Sequence, residues 1–203
     1  MRNAGFSKAK AMNQHRHQFG NSDDSVPDVT EVEQRDTVAQ TDSTDSVDSV
    51  GTQTITVSYS DDVIATLLYM IEEEKLAGDI YEAYFDLYGL KIFDNIAESE
   101  DQHFDALINQ AETIGIDVDE FLFEESGTFV NEELQAMYDE LLEVGSQSVI
   151  DALEVGVLIE EKDLVDIVEA VEEAEGTTLA SVYDNLLTGS TYHLDAFESA
   201  LLA

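Results

Sequence analysis

In the stretch Ile96-Ala97-Glu98-Ser99-Glu100-Asp101-Gln102-His103-Phe104, a carboxylate stands three residues before an imidazole, inside a segment whose apolar residues recur at helical spacing. Residues three apart on a helix project from one face, so Glu100 and His103 can bind one divalent ion together or lend one ligand to each of two. The chain contains no Cys. That excludes thiolate metal sites, iron-sulfur centres, disulfides and Cys nucleophiles at once. Any metal must be held by carboxylates and imidazoles, which favours hard or borderline ions such as iron, manganese or zinc.

The elements that would position such a site can be laid out from capping signals. Ser60 predicts the start of a helix over 61–88 that Gly89 ends, and a second helix over 91–114 that Gly115 stops. Asn131 caps a shorter helix to Val144, with Gly145 closing it. Ser146 opens a long helix over 147–174 that ends at Gly176, and Thr177 starts a last one running nearly to the C-terminus. With almost no strand signal, the expected fold is an all-α four-helix bundle. The joints at Gly89-Leu90 and Glu175-Gly176 are so short that the helices they join must be antiparallel neighbours. The long connection between the second and third long helices carries the short extra helix and must travel back along the bundle as a crossover.

Charged or imidazole side chains interrupt the apolar seams near mid-helix. Glu74 interrupts the seam Leu67, Ile71, Gly78, Tyr81, Phe85; Glu100 and His103 fall between Ile96 and Leu107; Glu160 falls between Val157 and Leu164; His193 falls between Ser190 and Phe197. Mid-helix positions of an antiparallel bundle share one level, so Glu74, Glu100, His103, Glu160 and His193 should converge in the core. Buried together without a cation they would leave charge uncompensated at several kcal/mol each, which two divalent ions would offset. Glu72, Glu73, Glu98, Glu161 and Asp166 are expected to face solvent.

Glu74-x-x-Ala77-x-x-x-Tyr81 resembles the first-helix motif of rubrerythrin and other ferritin-like proteins, and Glu100-x-x-His103 is similar to their second-helix motif. The segments EEEKLAGDIY, IFDNIAESEDQHFDAL, FVNEELQAMYDELLEVGS, LIEEKDLVDIVEA and YDNLLTGSTYHLDAF resemble the uncharacterised ferritin-like family labelled domain of unknown function 2202, over residues 62–201. The resemblance implies a ferritin-like bundle with Glu74, Glu100, His103, Glu160 and His193 at metal-ligand positions. It departs from the di-iron pattern where Ser190 replaces the usual fourth-helix Glu, and Asp163, one turn after Glu160, could supply the missing carboxylate. The function it implies is a dimetal, foremost di-iron, oxidoreductase or ferroxidase/peroxidase-type protein acting on dioxygen or hydrogen peroxide. Glu100 or Glu160 would bridge the ions, Glu74 and Asp163 would bind terminally, His103 and His193 would take one ion each, and Tyr81 would donate a hydrogen bond or an electron. Without Cys the chain has no rubredoxin-like donor, so a separate electron donor would be needed. The alternative is a non-catalytic metal-binding or metal-free helical interaction bundle; a homo-oligomer is compatible with either.

The 203 residues carry Lys+Arg 8 against Asp+Glu 46, a formal net charge of -38. Phosphate neutralisation needs Lys and Arg, so nucleic-acid binding is not expected. Acidic residues spread through every helix are the surface expected of a protein of an extreme halophile, kept soluble in molar salt. No apolar run is long enough for a membrane span or a secretory signal, so a cytoplasmic location is expected. Residues 1–55, with basic Arg2, Lys8, Lys10 and Arg16 followed by a Ser, Thr, Asp, Val and Gln-rich stretch, read as a disordered low-complexity tail, leaving 56–203 as the bundle domain. His15 and His17 in that tail read as solvated side chains.

Overall fold

A computed structural model describes residues 59–122 and 125–203, so the expected tail lies outside the described residues. Within them the protein is all-α: α1 (Asp61–Tyr88), α2 (Lys91–Thr113), the single turn α3 (Asp119–Leu122), α4 (Glu132–Gly145), α5 (Val149–Glu173) and α6 (Thr178–Leu201), with no strand among the described residues. Ser60 accepts a hydrogen bond from Val63 N and starts α1, while Gly89 ends it in the left-handed conformation at φ 67°. Asn131 caps α4 by accepting from Glu133 N and Leu134 N.

Two boundaries differ from the capping signals. Gly145 belongs to α4, and Ser148, whose hydroxyl accepts from Asp151 N, caps α5. The reason for Gly145 is tertiary: a Cβ there would lie 2.0 Å from Tyr84 Oη. That phenol donates to Leu141 O at 2.5 Å, so the glycine admits a side chain from α1 and is not a helix stop.

The long helices close into a ring, α1 touching α2 and α5, and α6 touching α2 and α5; α4 lies against α1 and α5. Two apolar clusters fill this ring. One joins Val63, Leu67, Met70 and Ile71 of α1 to Phe104, Leu107, Ile108 and Ala111 of α2, Ile167 and Ala170 of α5, and Leu179, Tyr183 and Leu186 of α6. The other joins Leu76, Ile80, Tyr81 and Tyr84 of α1 to Phe93, Ile96 and Ala97 of α2, to Ala152, Leu153, Val155 and Ile159 of α5, and to Phe197 of α6. The start of α1 therefore meets the ends of α2 and α5 and the start of α6, so α1 runs antiparallel to α2 and α5. Tyr81, Phe93 and Phe197 interlock in the second cluster, with Tyr81 and Phe93 ring centroids 5.1 and 5.8 Å from Phe197, each such pair adding about 0.5–1.5 kcal/mol beyond area burial.

Between Met70 and Tyr81, α1 is buried on every side. This corrects the expectation for Glu72 and Glu73, which are not solvent-facing: they are 4% and 2% exposed. Glu72 accepts backbone N–H bonds from Val130 and Asn131, the latter at 2.9 Å, and Glu73 pairs with Lys162 of α5. Lys75 donates to Asp79 at 2.6 Å and to the carbonyls of Glu125 and Thr128, and Asp79 accepts from Gly127 N. The outer face of α1 thus carries the crossover. Glu98 and Glu161 are exposed, and Asp166 is half-buried against Lys162.

Candidate metal centre

Between the two apolar clusters lies a polar layer. Glu74, Glu100, Glu160 and Asp163 are each at most 5% exposed and His193 is 8% exposed; His103 is half-buried. Glu100 stands at the centre. Its Oε2 is 2.8 Å from His103 Nδ1 and its Oε1 is 2.7 Å from His193 Nδ1, so each oxygen faces a different imidazole. Glu74 Oε2 lies 3.1 Å from His103 Nδ1, and Glu160 Oε2 lies 3.6 Å from His193 Nδ1. The two rings are 5.5 Å apart, tilted by 29°.

These distances define two groups of three donors, Glu74, Glu100 and His103, and Glu100, Glu160 and His193, each with one donor atom per residue within 4.8 Å of the others. Glu100 is common to both. Tyr81 donates to Glu160 Oε1 at 2.7 Å. Asp163 lies outside both groups and its Oδ2 is held by Ser190 Oγ at 2.5 Å. The structure thus brings five of the sequence-derived ligand candidates into two triads, with Tyr81 and Asp163 beside them.

The donor set fits divalent ions on two grounds. All six donors are oxygen or imidazole nitrogen, suited to iron, manganese or zinc. In addition, Glu74 Oε1, Glu100 Oε1, Asp163 Oδ1 and His193 Nδ1 are buried without a hydrogen-bond partner. At 2.7 Å, His193 Nδ1 and Glu100 Oε1 meet the distance of an ion pair, yet neither finds hydrogen-bond geometry. Buried polar atoms left unpaired are costly, and a cation between them satisfies both. His193 Nε2 lies 2.9 Å from Ser99 Oγ, and a metal ion on Nδ1 would leave Nε2–H to donate to that hydroxyl and fix the ring.

Charge is unevenly distributed across the layer. Burial, with the charge of Glu100, pushes Glu160 up to about 7 and Glu74 well above the carboxylate range. Burial and the charges of Glu74 and Glu73 do the same to Asp163. Burial would also raise Glu100, but its contacts with His103 and His193 outweigh burial and hold it at about 2. Burial lowers the basicity of His193, but Glu100 and Glu160 overcome it and raise the imidazole to about 9.

Ser99 and Gly189 were not singled out in the sequence. A Cβ at Gly189 would lie 2.5 Å from His103 Nε2, so this glycine makes room for the imidazole. A glycine inside a helix costs about 1 kcal/mol relative to alanine, and that cost is the signal of close approach it offered. Ser99 gave no signal, because a half-buried serine on a helix is ordinary.

Fold and site together define an all-helical protein with a buried carboxylate and imidazole layer. The chain belongs to the family described as an uncharacterized protein domain, DUF2202, whose model matches residues 63–202. It is similar to the uncharacterized protein MJ0754 of Methanocaldococcus jannaschii, 39% identical over 131 residues that cover 64% of this chain and 70% of that relative. The crystal structure of that hypothetical protein MJ0754 superimposes with a TM-score of 0.67 at 36% sequence identity, covering 72% of this chain and 83% of the other.

Proposed function

We propose that the chain is a ferritin-like four-helix bundle with a long crossover, whose central layer holds two divalent ions, foremost iron, for oxidoreductase or ferroxidase/peroxidase-type chemistry on dioxygen or hydrogen peroxide. The observation that carries this reading is Glu100, whose two oxygens face two different imidazoles and which alone belongs to both donor groups. Glu74 and His103 complete one ion's set, and Glu160 and His193 the other's. Two redox metal ions held by these residues would supply electrons and Lewis acidity. The protein's part is to hold the donors, and the apolar clusters on either side keep bulk water from the layer. Tyr81, fully buried, donates a hydrogen bond to Glu160 at 2.7 Å and orients that carboxylate. Reducing equivalents come from a separate donor, because the chain has no Cys.

A second reading, a metal-free helical interaction bundle, is favoured by one observation: Glu100 lies within ion-pair distance of both histidines. Anaerobic titration with ferrous iron decides. Uptake of two equivalents, followed by consumption of added dioxygen or peroxide, is expected. Tight binding without turnover would leave a metal-binding protein, and no uptake would leave the second reading.

A further inference from the structure

The seam between α1 and α5 opens into a cleft of about 330 Å³, walled by the ring of Tyr69 and by four carboxylates, Glu133 of α4 with Asp166, Glu169 and Glu173 of α5. Glu133, Glu169 and Glu173 are exposed. An acidic rim alone attracts any cation, so the groups behind it decide what the cleft does. Lys162 closes its inner end. The ammonium donates to Tyr69 Oη at 2.8 Å and to carboxylate oxygens of Glu73 and Asp166, and it lies 5.0 Å from the centre of the Tyr69 ring. One cation is thus held by oxygens of three side chains from two helices, a donor set that also suits a hard divalent ion keeping some of its water. The Lys162 side chain is 34% exposed on a long flexible stem, so the ammonium can turn out to water.

Glu73 stands behind that plug. It is 2% exposed, and its Oε2 has no hydrogen-bond partner. Beyond burial and Glu100, the charge of Glu73 raises Glu74; beyond burial and Glu74, it raises Asp163. The Glu73 carboxylate therefore lies between the cleft, which it meets through Lys162 and Asp166, and the donor layer, where Glu74 Oε1 and Asp163 Oδ1 are also without partners. Buried oxygens left unpaired are costly, and a cation passing inward satisfies them in turn.

We infer that the cleft between α1 and α5 is the entrance by which hydrated divalent cations reach the donor layer, with Lys162 as a cationic plug and Glu73 as the carboxylate an incoming ion meets once the plug turns out. This inference rests on the dimetal reading above. The rim carboxylates gather the ion, and the oxygens of Tyr69, Glu73 and Asp166 receive it in place of the ammonium. Glu74, the next residue along α1, then takes it into the layer. With the ion passed on, Lys162 returns and closes the route to water.

The test is stopped-flow mixing of the metal-free full chain with Co(II), followed by the visible absorption of the bound ion, with loss of the ion to chelator measured afterwards. Glu169→Lys reverses a charge at the exposed rim and should slow uptake by about tenfold at about 0.05 M salt, while the amount bound at equilibrium is unchanged. Glu154→Lys makes the same change of net charge at an exposed position of α5 outside the cleft, and should leave the rate near that of wild type. At about 1 M salt the difference should close, because the Debye length falls to about 3 Å. Lys162→Met keeps the stem, removes the ammonium, and should speed both uptake and loss by about tenfold. If that variant loses its helical circular dichroism, the comparison of Glu169→Lys with Glu154→Lys decides alone. Equal slowing by the two reversals would overturn the inference, and so would a folded Lys162→Met that takes up cobalt no faster than wild type. Either result leaves the dimetal reading standing, whereas wild type taking up no cobalt removes both.

Discussion

Glu100 is the residue on which both donor groups depend, so the substitutions separate by arithmetic. Glu100→Ala should lose both equivalents of metal, while His103→Ala and His193→Ala should each lose chiefly one, read by metal analysis after desalting. Full occupancy in Glu100→Ala would remove it from the centre. The pH dependence follows from the same residues. Glu160 has its folded value raised from 4.5 to about 7, so the folded state holds its proton longer than the unfolded state and stability falls as pH rises from 4.5 through 7. His193, raised from 6.5 to about 9, adds a further loss between those values. Glu100, lowered to about 2, stabilises above 4.5 and loses that contribution as pH falls toward 2. Metal-free protein in chelator should therefore be most stable near about pH 5 and weaken toward pH 9. Saturating manganese should reverse the slope between about pH 5 and 8, because ligands must lose their protons to bind. Thermal unfolding across the pH series checks both signs. Parallel curves with and without metal would contradict the assignment of these groups as ligands.

At the scale of the helices, the crossover clamp on α1 gives a separate prediction. Lys75 and Asp79 form a buried pair at 2.6 Å, and the ammonium also lies 4.5 Å from the centre of the Phe129 ring. Lys75→Met leaves Asp79 buried and uncompensated and should cost about 3–5 kcal/mol, whereas the double replacement Lys75→Met with Asp79→Leu should recover much of it. Denaturant unfolding of the two variants measures the difference; equal losses would show that packing and not charge governs the site. This clamp marks the limit of what the sequence disclosed. Helix periodicity and caps exposed the all-α class and most boundaries, and a lone charge in an apolar seam was enough to single out Glu74 and Glu160. The burial of Lys75 and Asp79 is not legible in the sequence, and Glu72 and Glu73 read there as solvent-facing, because a seam argument assumes one wet face. On α1 that face is covered by a segment some fifty residues away in sequence, between Glu125 and Asn131. Long-range covering of this kind leaves no local period. The hydrogen bond from Ser190 to Asp163 was equally hidden, because its existence depends on rotamers across two helices.

At the scale of the whole molecule, charge is the dominant property. From Tyr59 onward the only basic residues besides histidine are Lys75, Lys91 and Lys162, and each is engaged: Lys75 with Asp79, Lys91 with Asp94, and Lys162 with Glu73 and Asp166. No lysine in this region is left to offset the remaining acidic surface, so self-repulsion acts across the whole bundle. We propose that the surface is built for concentrated salt. At about 0.01 M salt the Debye length is about 30 Å, comparable with the bundle itself, while at about 1 M it is about 3 Å and repulsion reaches only immediate neighbours. Melting temperature should therefore climb steeply across a KCl series. Bound divalent metal should raise it most at the low-salt end, since it favours the folded state by mass action and neutralises carboxylates that repel at closest range. Circular dichroism melts between about 0.05 M and 3 M KCl, with and without manganese, read both effects. A protein equally stable at both ends would contradict the salt reading and would leave the acidic face to be explained by a cationic partner.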